Sequence, residues 1–474
     1  MPIPNVLATR YASDEVRKIW SPQEKILAER KLWIAVLEAQ RDLGVSFGHD
    51  DPDIVIAAYR SVLTNVDLDS IEVRERVTRH DVKARIEEFN ALAGYEHIHK
   101  GMTSRDLTEN IEMMQIRESL ELVRQSVVAA LAKLSELAVT YTDQAIVGRS
   151  HNVAAQVTTL GKRFATVGEE LLHGYSRLND LMNNLQLRGI KGPMGTSQDM
   201  LDLLGGDLQK LGDLETRVAN SLGFANRAIS VGQVYPRSYD FDVMSALVQL
   251  SAPCSNLATT IRLMAGHELV TEGFRPGQVG SSAMPHKMNT RSCERVNGLG
   301  VILRGYLSMV SELAGDQWNE GDVSCSVVRR VALPDGFYAI DGLMGTLLSV
   351  LDDFGAFPGV IEVELDRYLP FLSTTKILMA ATRAGMGREQ AHEMIKKAAV
   401  AAALKMRDGE ANTVLTDLGA DPDFPLDTKE LVRLVESPLE LTGAARQQVG
   451  EVVELINTVV ASNSDHAYRP ASRL

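Results

Sequence analysis

The chain has 474 residues, and its 62 acidic against 49 basic side chains give it a formal net charge of −13. This acidic balance, without any basic run, argues against nucleic acid or an anionic membrane surface as the main partner. With 45% hydrophobic and 23% charged residues, no apolar run of ~18 residues and no leader-like start, the sequence predicts a globular cytoplasmic protein. Cys254, Cys293 and Cys325 form no metal-type or redox pair, which fits a reducing compartment.

Residues 1–111 carry shorter helical patterns and are predicted to form an N-terminal helical domain. The next pattern is much longer: from Thr108 to Thr142 there is neither proline nor glycine, and apolar residues recur every three or four positions. This spacing predicts one helix of about 35 residues, roughly 50 Å long at 1.5 Å per residue.

The middle of the chain repeats this long-helix pattern, and no strand alternation of convincing length is found. Further long helices are predicted over residues 153–187, 239–269, 289–313 and 324–351. Helices of this length are expected to stack into an elongated bundle over residues 112–362. Self-association into a homo-oligomer is expected to cover the apolar flanks of this bundle. A C-terminal helical domain is predicted for residues 363–474, which makes the fold all-α with three unequal domains.

The densest polar constellation is the loop over residues 277–289. Gly280 frees the backbone, Ser281 and Ser282 offer hydroxyl groups, and the amide groups that follow can converge on an oxyanion. Lys287 and Asn289 can hold a carboxylate. From spacing alone, both a catalytic loop and a solvated interhelical loop with a helix cap remain open.

Three sequence blocks resemble the fumarase/aspartase superfamily of lyases. Residues 280–289, GSSAMPHKMN, match the long and specific loop motif GSSxMPxKxN of that superfamily. Residues 148–161 resemble its GRTHxxxAxxTT region, with Ser150 where threonine is usual, and residues 99–106 are similar to its HxGxTSxD region. The blocks stand in the expected order with long helices between them.

Smaller features resemble the adenylosuccinate lyase branch of this superfamily: Arg10-Tyr11, the segment Thr78-Arg-His-Asp81, His286 and Leu333-Pro-Asp335. The resemblance implies an enzyme that eliminates fumarate from adenylosuccinate to give AMP, and from succinylaminoimidazole carboxamide ribotide (SAICAR) to give AICAR. It also implies a homotetramer built on the long helices, with active sites shared between subunits. No metal and no cofactor is expected.

The resemblance also assigns residues to roles. It implies Ser281 as the general base, His151 as the general acid, Glu294 as the carboxylate that orients the imidazole of His151, and His99 as a second histidine on the acid side. The implied substrate-binding residues are Arg10, Tyr11, Arg79, His80, Asp81, Thr103, Ser104, Gln233, Lys287, Asn289, Ser326 and Arg330. Within this set, Arg10, Tyr11, Ser326 and Arg330 are expected at the phosphate, since guanidinium groups suit phosphate.

One position departs from the family pattern. Gly321 stands before Asp322 where arginine is common, so one phosphate or carboxylate contact is expected to be absent or supplied elsewhere, with Arg329 as a candidate. His267-Glu268 begins like a zinc-protease helix, but no second histidine follows, so a metal site is not predicted there. Two alternatives stay open: another fumarate-releasing lyase of the superfamily, and a catalytically idle structural member. The joint presence of the implied catalytic residues argues against the idle member.

Overall fold

The computed structural model of the chain describes residues 4–273, 284, 286–463 and 468–470. None of the described helices combines the length and the apolar character that a membrane span requires. The N-terminal part is a π-helical turn followed by short helices, with these bounds: Leu7–Tyr11 for the turn, then α1 (Asp14–Ile19), α2 (Pro22–Asp42), α3 (Pro52–Ser61), α4 (Leu68–Thr78) and α5 (Asp81–Ala93).

These short helices begin where the sequence supplies a cap. The side chain of Ser21 accepts a hydrogen bond from the backbone N–H of Glu24, and Pro22 occupies the first helical position of α2. Asp51 and Pro52 repeat the arrangement at α3. A capping oxygen satisfies N–H groups that have no partner in the first turn, and proline loses nothing there, which explains why the helices start at these residues.

The predicted long helices are confirmed, with bounds that differ by a few residues. The first of them is 37 residues long. The helices of the middle part are α6 (Ser104–Thr140), α7 (Leu160–Asn183), α8 (Gln198–Leu203), α9 (Leu208–Ser221), α10 (Ser238–Gly266), α11 (Arg291–Ser311) and α12 (Cys325–Asp353). Helix α6 packs against α7 and α12, and α11 packs between α10 and α12, so the five long helices form one elongated bundle around a common apolar core.

The prediction of a helix from residue 153 is wrong for its first residues, because a β-hairpin stands there. Strand β1 (Ala145–Ser150) pairs antiparallel with β2 (Val153–Thr159). Both residues of the connecting turn, His151 and Asn152, have positive φ values of 50° and 61°. Positive φ at both central positions is the geometry of the tight hairpin turn, and asparagine tolerates it well.

Two shorter strand pairs complete the β structure of the described residues. The parallel pair is β3 (Gln186–Leu187) with β4 (Asn226–Arg227), and the antiparallel pair is β5 (Val270–Thr271) with β6 (Gly355–Ala356). The expectation of no strands was therefore wrong in detail, while the all-α class holds.

The C-terminal part has a small core of its own, and its last helix returns to the bundle. Its elements are α13 (Pro358–Leu372), α14 (Thr374–Arg383), α15 (Arg388–Arg407), α16 (Val414–Gly419), α17 (Thr428–Val435), a 3-10 turn (Pro438–Leu441) and α18 (Ala445–Ser462). Helices α14 to α17 enclose the separate core, while α18 packs on α6 and α7. The predicted boundaries at 111/112 and 362/363 fall inside α6 and α13, and the three-domain division stays a prediction.

Candidate active site

The first group of implied site residues lies at the N-terminus of α11. His286, Lys287, Asn289 and Glu294 line a cavity of about 620 Å³ that also includes Glu272. The cavity wall carries the cation Lys287 together with the carboxylates of Glu268, Glu272 and Glu294. Ser281, the implied base, lies outside the residues that the structure describes, as do Gly280 and Ser282.

Glu272 fixes the position of this helix end. Its buried carboxylate accepts hydrogen bonds from the backbone N–H groups of Ser292 at 2.9 Å and Cys293 at 2.8 Å. The cap holds the first turn of α11, and with it Glu294, at the cavity wall. Sequence reasoning did not single out Glu272, because it stands more than ten residues before the helix that it caps.

His151 and Glu294 are both exposed in the single chain. His151 lies at the tip of the hairpin and is not among the described residues that line the α11 cavity. The carboxylate of Glu294 lies 3.9 Å from the guanidinium group of Arg262 on α10. The implied pairing of Glu294 with the imidazole of His151 is therefore not made within one chain.

A second group forms around His80, His99 and Ser104. His80 caps α5 by accepting from the backbone N–H of Lys83 through Nδ1, and its Nε2 lies 3.5 Å from the hydroxyl oxygen of Ser104. His99 is half-buried next to them and has a left-handed φ of 68°. The structure thus brings together residues of two sequence blocks that lie on different helices.

The backbone of this group is held by Asp106, which is completely buried in the first turn of α6. Its carboxylate accepts from the backbone N–H of Thr103 at 2.8 Å and from the backbone N–H of Lys191 at 2.8 Å, and it is ion-paired with Arg188. Buried charges of this kind are stable only when fully paired and hydrogen-bonded. Thr103 and Ser104 are therefore held rigidly.

His99 carries no charge at neutral pH. Burial, with smaller electrostatic contributions from His80 and Lys83, lowers its pKa from 6.5 to about 4. The indole N–H of Trp33 donates a hydrogen bond to Nδ1 of His99 at 3.1 Å. A neutral imidazole in this position can donate a hydrogen bond to a bound molecule but does not add positive charge.

The carboxylate of Asp81 is engaged in an ion pair within the protein. Its carboxylate accepts from Arg85 at 3.0 Å, and Arg85 in turn pairs with the fully buried Glu29 at 2.8 Å. Burial alone would raise the pKa of Asp81, but the charge of Arg85 lowers it below the usual value. Arg79, by contrast, is exposed at the left-handed C-terminus of α4, where its φ is 52°.

The implied phosphate residues lie near α11 and on α12. Arg10 and Tyr11 belong to the π-helical turn and act electrostatically on Arg295. Burial is the main reason why the pKa of Arg295 is lowered, and the nearby positive charges of Arg291 and Arg10 contribute. Arg291 and Arg295 were missed by sequence reasoning, although their spacing of four residues right after the loop motif places them on one helix face.

Arg330 and Ser326 lie on the first turns of α12, with Arg330 exposed and Ser326 partly so. The neighbouring Arg329 points into the bundle and is only 2% exposed. It donates to the carboxylate of Asp240 and pairs with Glu112. The guanidinium group of Arg329 is thus buried and paired with these carboxylates. The prediction that it replaces the missing family arginine is wrong.

The position of that missing arginine has its own backbone geometry. Gly321 has a φ of 136°, a conformation that side chains rarely adopt, and a Cβ there would lie 3.3 Å from the Cβ of Gln233. The backbone N–H of Gln233 donates to the carbonyl oxygen of Glu320 at 2.5 Å. An arginine at 321 would be strained in this close contact, and the contact itself places Gln233.

No three histidine, cysteine or acidic side chains are grouped as metal ligands within the described part of the chain. The site residues instead form separate groups of cations, amides and histidines. These groups lie at a helix N-terminus, around α5 and α6, on α12 and at the hairpin tip.

Long helices in a common bundle, a polar loop before α11 and a histidine-bearing hairpin define a lyase of the fumarase/aspartase superfamily. A family model described as lyase matches residues 9–305. A fumarate lyase from Mesorhizobium sp. BNC1 has the same fold, with a TM-score of 0.81 over 96% of this chain and all of that chain, at 20% identity. A 3-carboxy-cis,cis-muconate lactonizing enzyme from Pseudomonas putida superimposes with a TM-score of 0.83 at 20% identity, covering 96% and 99% of the two chains.

The sequence relatives are more specific. A model of the adenylosuccinate lyase C-terminus matches residues 370–452. Adenylosuccinate lyase of Saccharomyces cerevisiae is 34% identical over 94% of this chain and 93% of its own length. The corresponding enzyme of Schistosoma mansoni is 31% identical over 98% and 96%. The chain belongs to the adenylosuccinate lyase family.

Proposed function

We propose that the protein eliminates fumarate from adenylosuccinate to give AMP, and from SAICAR to give AICAR. The observation that carries the proposal is the cavity in front of α11, where Lys287 and Asn289 stand beside Glu294. The succinyl group has two carboxylates, and a lysine and an amide form a suitable receptor for one of them.

The reaction removes a proton from the carbon next to a carboxylate, and the electron pair of that C–H bond forms the double bond of fumarate. The carbon–nitrogen bond breaks, and a general acid protonates the departing nitrogen. Negative charge grows on the adjacent carboxylate before the bond breaks, so Lys287 stabilises the transition state more than the substrate. We assign the base to Ser281 from its motif and the acid to His151, oriented by Glu294.

The remaining residues bind and orient the substrate. His99, His80, Thr103 and Ser104 form a polar group around the neutral imidazole of His99, which suits the second carboxylate and the departing nitrogen. Arg10, Tyr11, Ser326 and Arg330 are assigned to the phosphate. Arg79, Asp81 and Gln233 are assigned to the rest of the nucleotide, with Asp81 acting mainly by orienting Arg85, which pairs with Glu29 on α2.

A homotetramer with sites shared between subunits is part of the proposal. Helices α11 and α12 expose large apolar side chains in the single chain, among them Val301 at 61%, Val327 at 72% and Val331 at 43%. Val327 and Val331 are one turn apart and form one stripe. Copies of the chain packed through these faces bury apolar surface and bring His151 of one subunit to the α11 cavity of another.

The direct experiment is to add adenylosuccinate to the purified protein and to quantify both fumarate and AMP. We expect equal amounts of the two products, and none from argininosuccinate. Lys287→Met should lower kcat/KM by about 100-fold or more, because a cation at the developing charge is lost. Lys429→Met, at an exposed position of α17, is the matched control. Absence of fumarate, or equal activity of the two variants, would refute the proposal.

A further inference from the structure

Trp33 is an interior residue of α2 that touches a proposed active-site histidine. It is 1% exposed, and its ring stacks on Phe89 at a centroid distance of 6.2 Å. Its indole edge meets the ring of His99 at an interplanar angle of 79°. The single polar atom of the indole, Nε1, donates its proton to Nδ1 of His99 at 3.1 Å.

This contact determines where the proton of His99 lies. An indole nitrogen can only donate a hydrogen bond, so Nδ1 of His99 has to be the acceptor and carries no proton. A neutral imidazole has one proton, which must then lie on Nε2. Protonation of Nδ1 would set two N–H groups against each other, and this repulsion disfavours the imidazolium form.

We propose that Trp33 is a positioning residue that holds His99 as the Nε2–H tautomer, with this N–H as a hydrogen-bond donor to the substrate. The inference rests on the proposed function, which places His99 beside the departing nitrogen. Two titratable groups face His99, His80 at the cap of α5 and Lys83 on α5, and positive charge on either of them disfavours protonation of His99, as the indole does.

It follows that His99 and His151 have different roles in the reaction. His99 cannot take up a proton at Nδ1 while it releases the one on Nε2, and release alone would leave an imidazolate anion. It therefore stabilises the departing nitrogen by a hydrogen bond and does not transfer its proton. Protonation of the nitrogen is left to His151.

The backbone at and after His99 also restricts the position of its ring. His99 has a left-handed φ of 68°, and the segment that follows it is held by the buried Asp106. The ring of His99 thus has a fixed origin and one fixed hydrogen-bond partner. Its remaining nitrogen has a defined direction, which is what a donor to a transition state requires.

The test is a double-mutant cycle with Trp33→Phe and His99→Gly. Phenylalanine keeps a ring against Phe89 and removes only the N–H and part of the ring, while glycine tolerates the left-handed φ and removes the imidazole. We expect Trp33→Phe to lower kcat about tenfold with KM changed less than about twofold, and to cost less than about twofold when His99 is already glycine.

Trp20→Phe is the matched control. Trp20 also donates through Nε1, to the hydroxyl of Ser119 at 3.0 Å, and stacks on Phe337. It should change kcat less than about twofold in both backgrounds. An equal loss from Trp33→Phe with and without His99, or no loss at all, would show that Trp33 has only a packing role.

A spectroscopic measurement tests this inference independently of the proposed function. Solid-state ¹⁵N NMR of protein with labelled histidine rings reports the tautomer without any turnover, and the His99 signals are identified by their absence in His99→Gly. We expect protonated Nε2 and bare Nδ1 between pH 6 and 8, and a mixture of forms in Trp33→Phe. Protonated Nδ1 in the unaltered protein overturns the inference. Unchanged kcat in His99→Gly contradicts instead the placement of His99 in the proposed function.

Discussion

The guanidinium group of Arg329 donates through Nε to the carboxylate of Asp240 at 2.6 Å, and both side chains are buried in the bundle. Arg329 also pairs with Glu112 on α6 and contacts the ring of Tyr235. The backbone N–H of Tyr235 in turn donates to Glu109 at 3.1 Å. This buried network joins α6, α10 and α12 and holds the segment that carries Gln233.

Removing one member of this network should be costly to the fold. Arg329→Ala leaves the buried carboxylate of Asp240 and the partly buried carboxylate of Glu112 without their main partner, which is expected to lower the free energy of unfolding by about 3–5 kcal/mol. Arg330→Ala, at the exposed neighbouring position, should cost less than about 1 kcal/mol. Urea denaturation of both variants at one protein concentration measures the difference. Similar values for the two would show that the network contributes little.

Arg330 and Arg10 should matter for substrate affinity. Contacts to a phosphate far from the reacting bond act equally in the ground and transition states, so alanine at either position raises KM by about tenfold or more and leaves kcat nearly unchanged. Arg388→Ala on α15 is an exposed control. With succinyladenosine, which lacks the phosphate, the variants and the unaltered protein should have the same KM. A lowered kcat with unchanged KM would contradict the phosphate assignment.

The lowered pKa of His99 predicts a pH dependence of stability. Its pKa is about 4 in the folded chain, against about 6.5 for an ordinary histidine. Between these values the unfolded chain binds a proton that the folded chain does not, so the free energy of unfolding falls as the pH falls from 6.5 towards 4. One such group contributes at most about 1.4 kcal/mol per pH unit.

Unfolding of the unaltered protein and of His99→Gly from pH 7 to pH 4 measures this contribution. The variant should show the shallower decline, whatever its stability at pH 7. Parallel declines would show that His99 binds the same number of protons in both states.

The long helices could be predicted because they leave a local signal. Proline and glycine are absent from long stretches, and apolar residues recur at helical spacing. The hairpin was missed because Val153 and Val157 have a spacing of four, which fits a helix as well as a strand. Only the turn geometry at His151 and Asn152 separates the two, and positive φ values are not visible in a sequence.

The candidate site residues were named from the resemblance of three sequence blocks to the superfamily, but the sequence did not indicate their partners. Arg329 and Asp240 are 89 positions apart, and Trp33 and His99 are 66 positions apart. Such contacts arise only when helices pack, so the sequence could not tell the buried Arg329 from the exposed Arg330. Membership of the family could be predicted, because the loop motif is long and specific.

The central claim is that each active site combines residues of different subunits, and it is tested by mixing two inactive variants. His151→Ala lacks the proposed acid, and Lys287→Met lacks a carboxylate ligand of the α11 cavity. The variants, carrying different affinity tags, are dissociated, mixed, reassembled and purified through both tags, and fumarate release is measured. If the two residues come from different subunits, random assembly leaves about a quarter of the sites free of both substitutions, and about a quarter of the normal activity returns. Doubly tagged oligomers that remain inactive would show that one subunit supplies both residues.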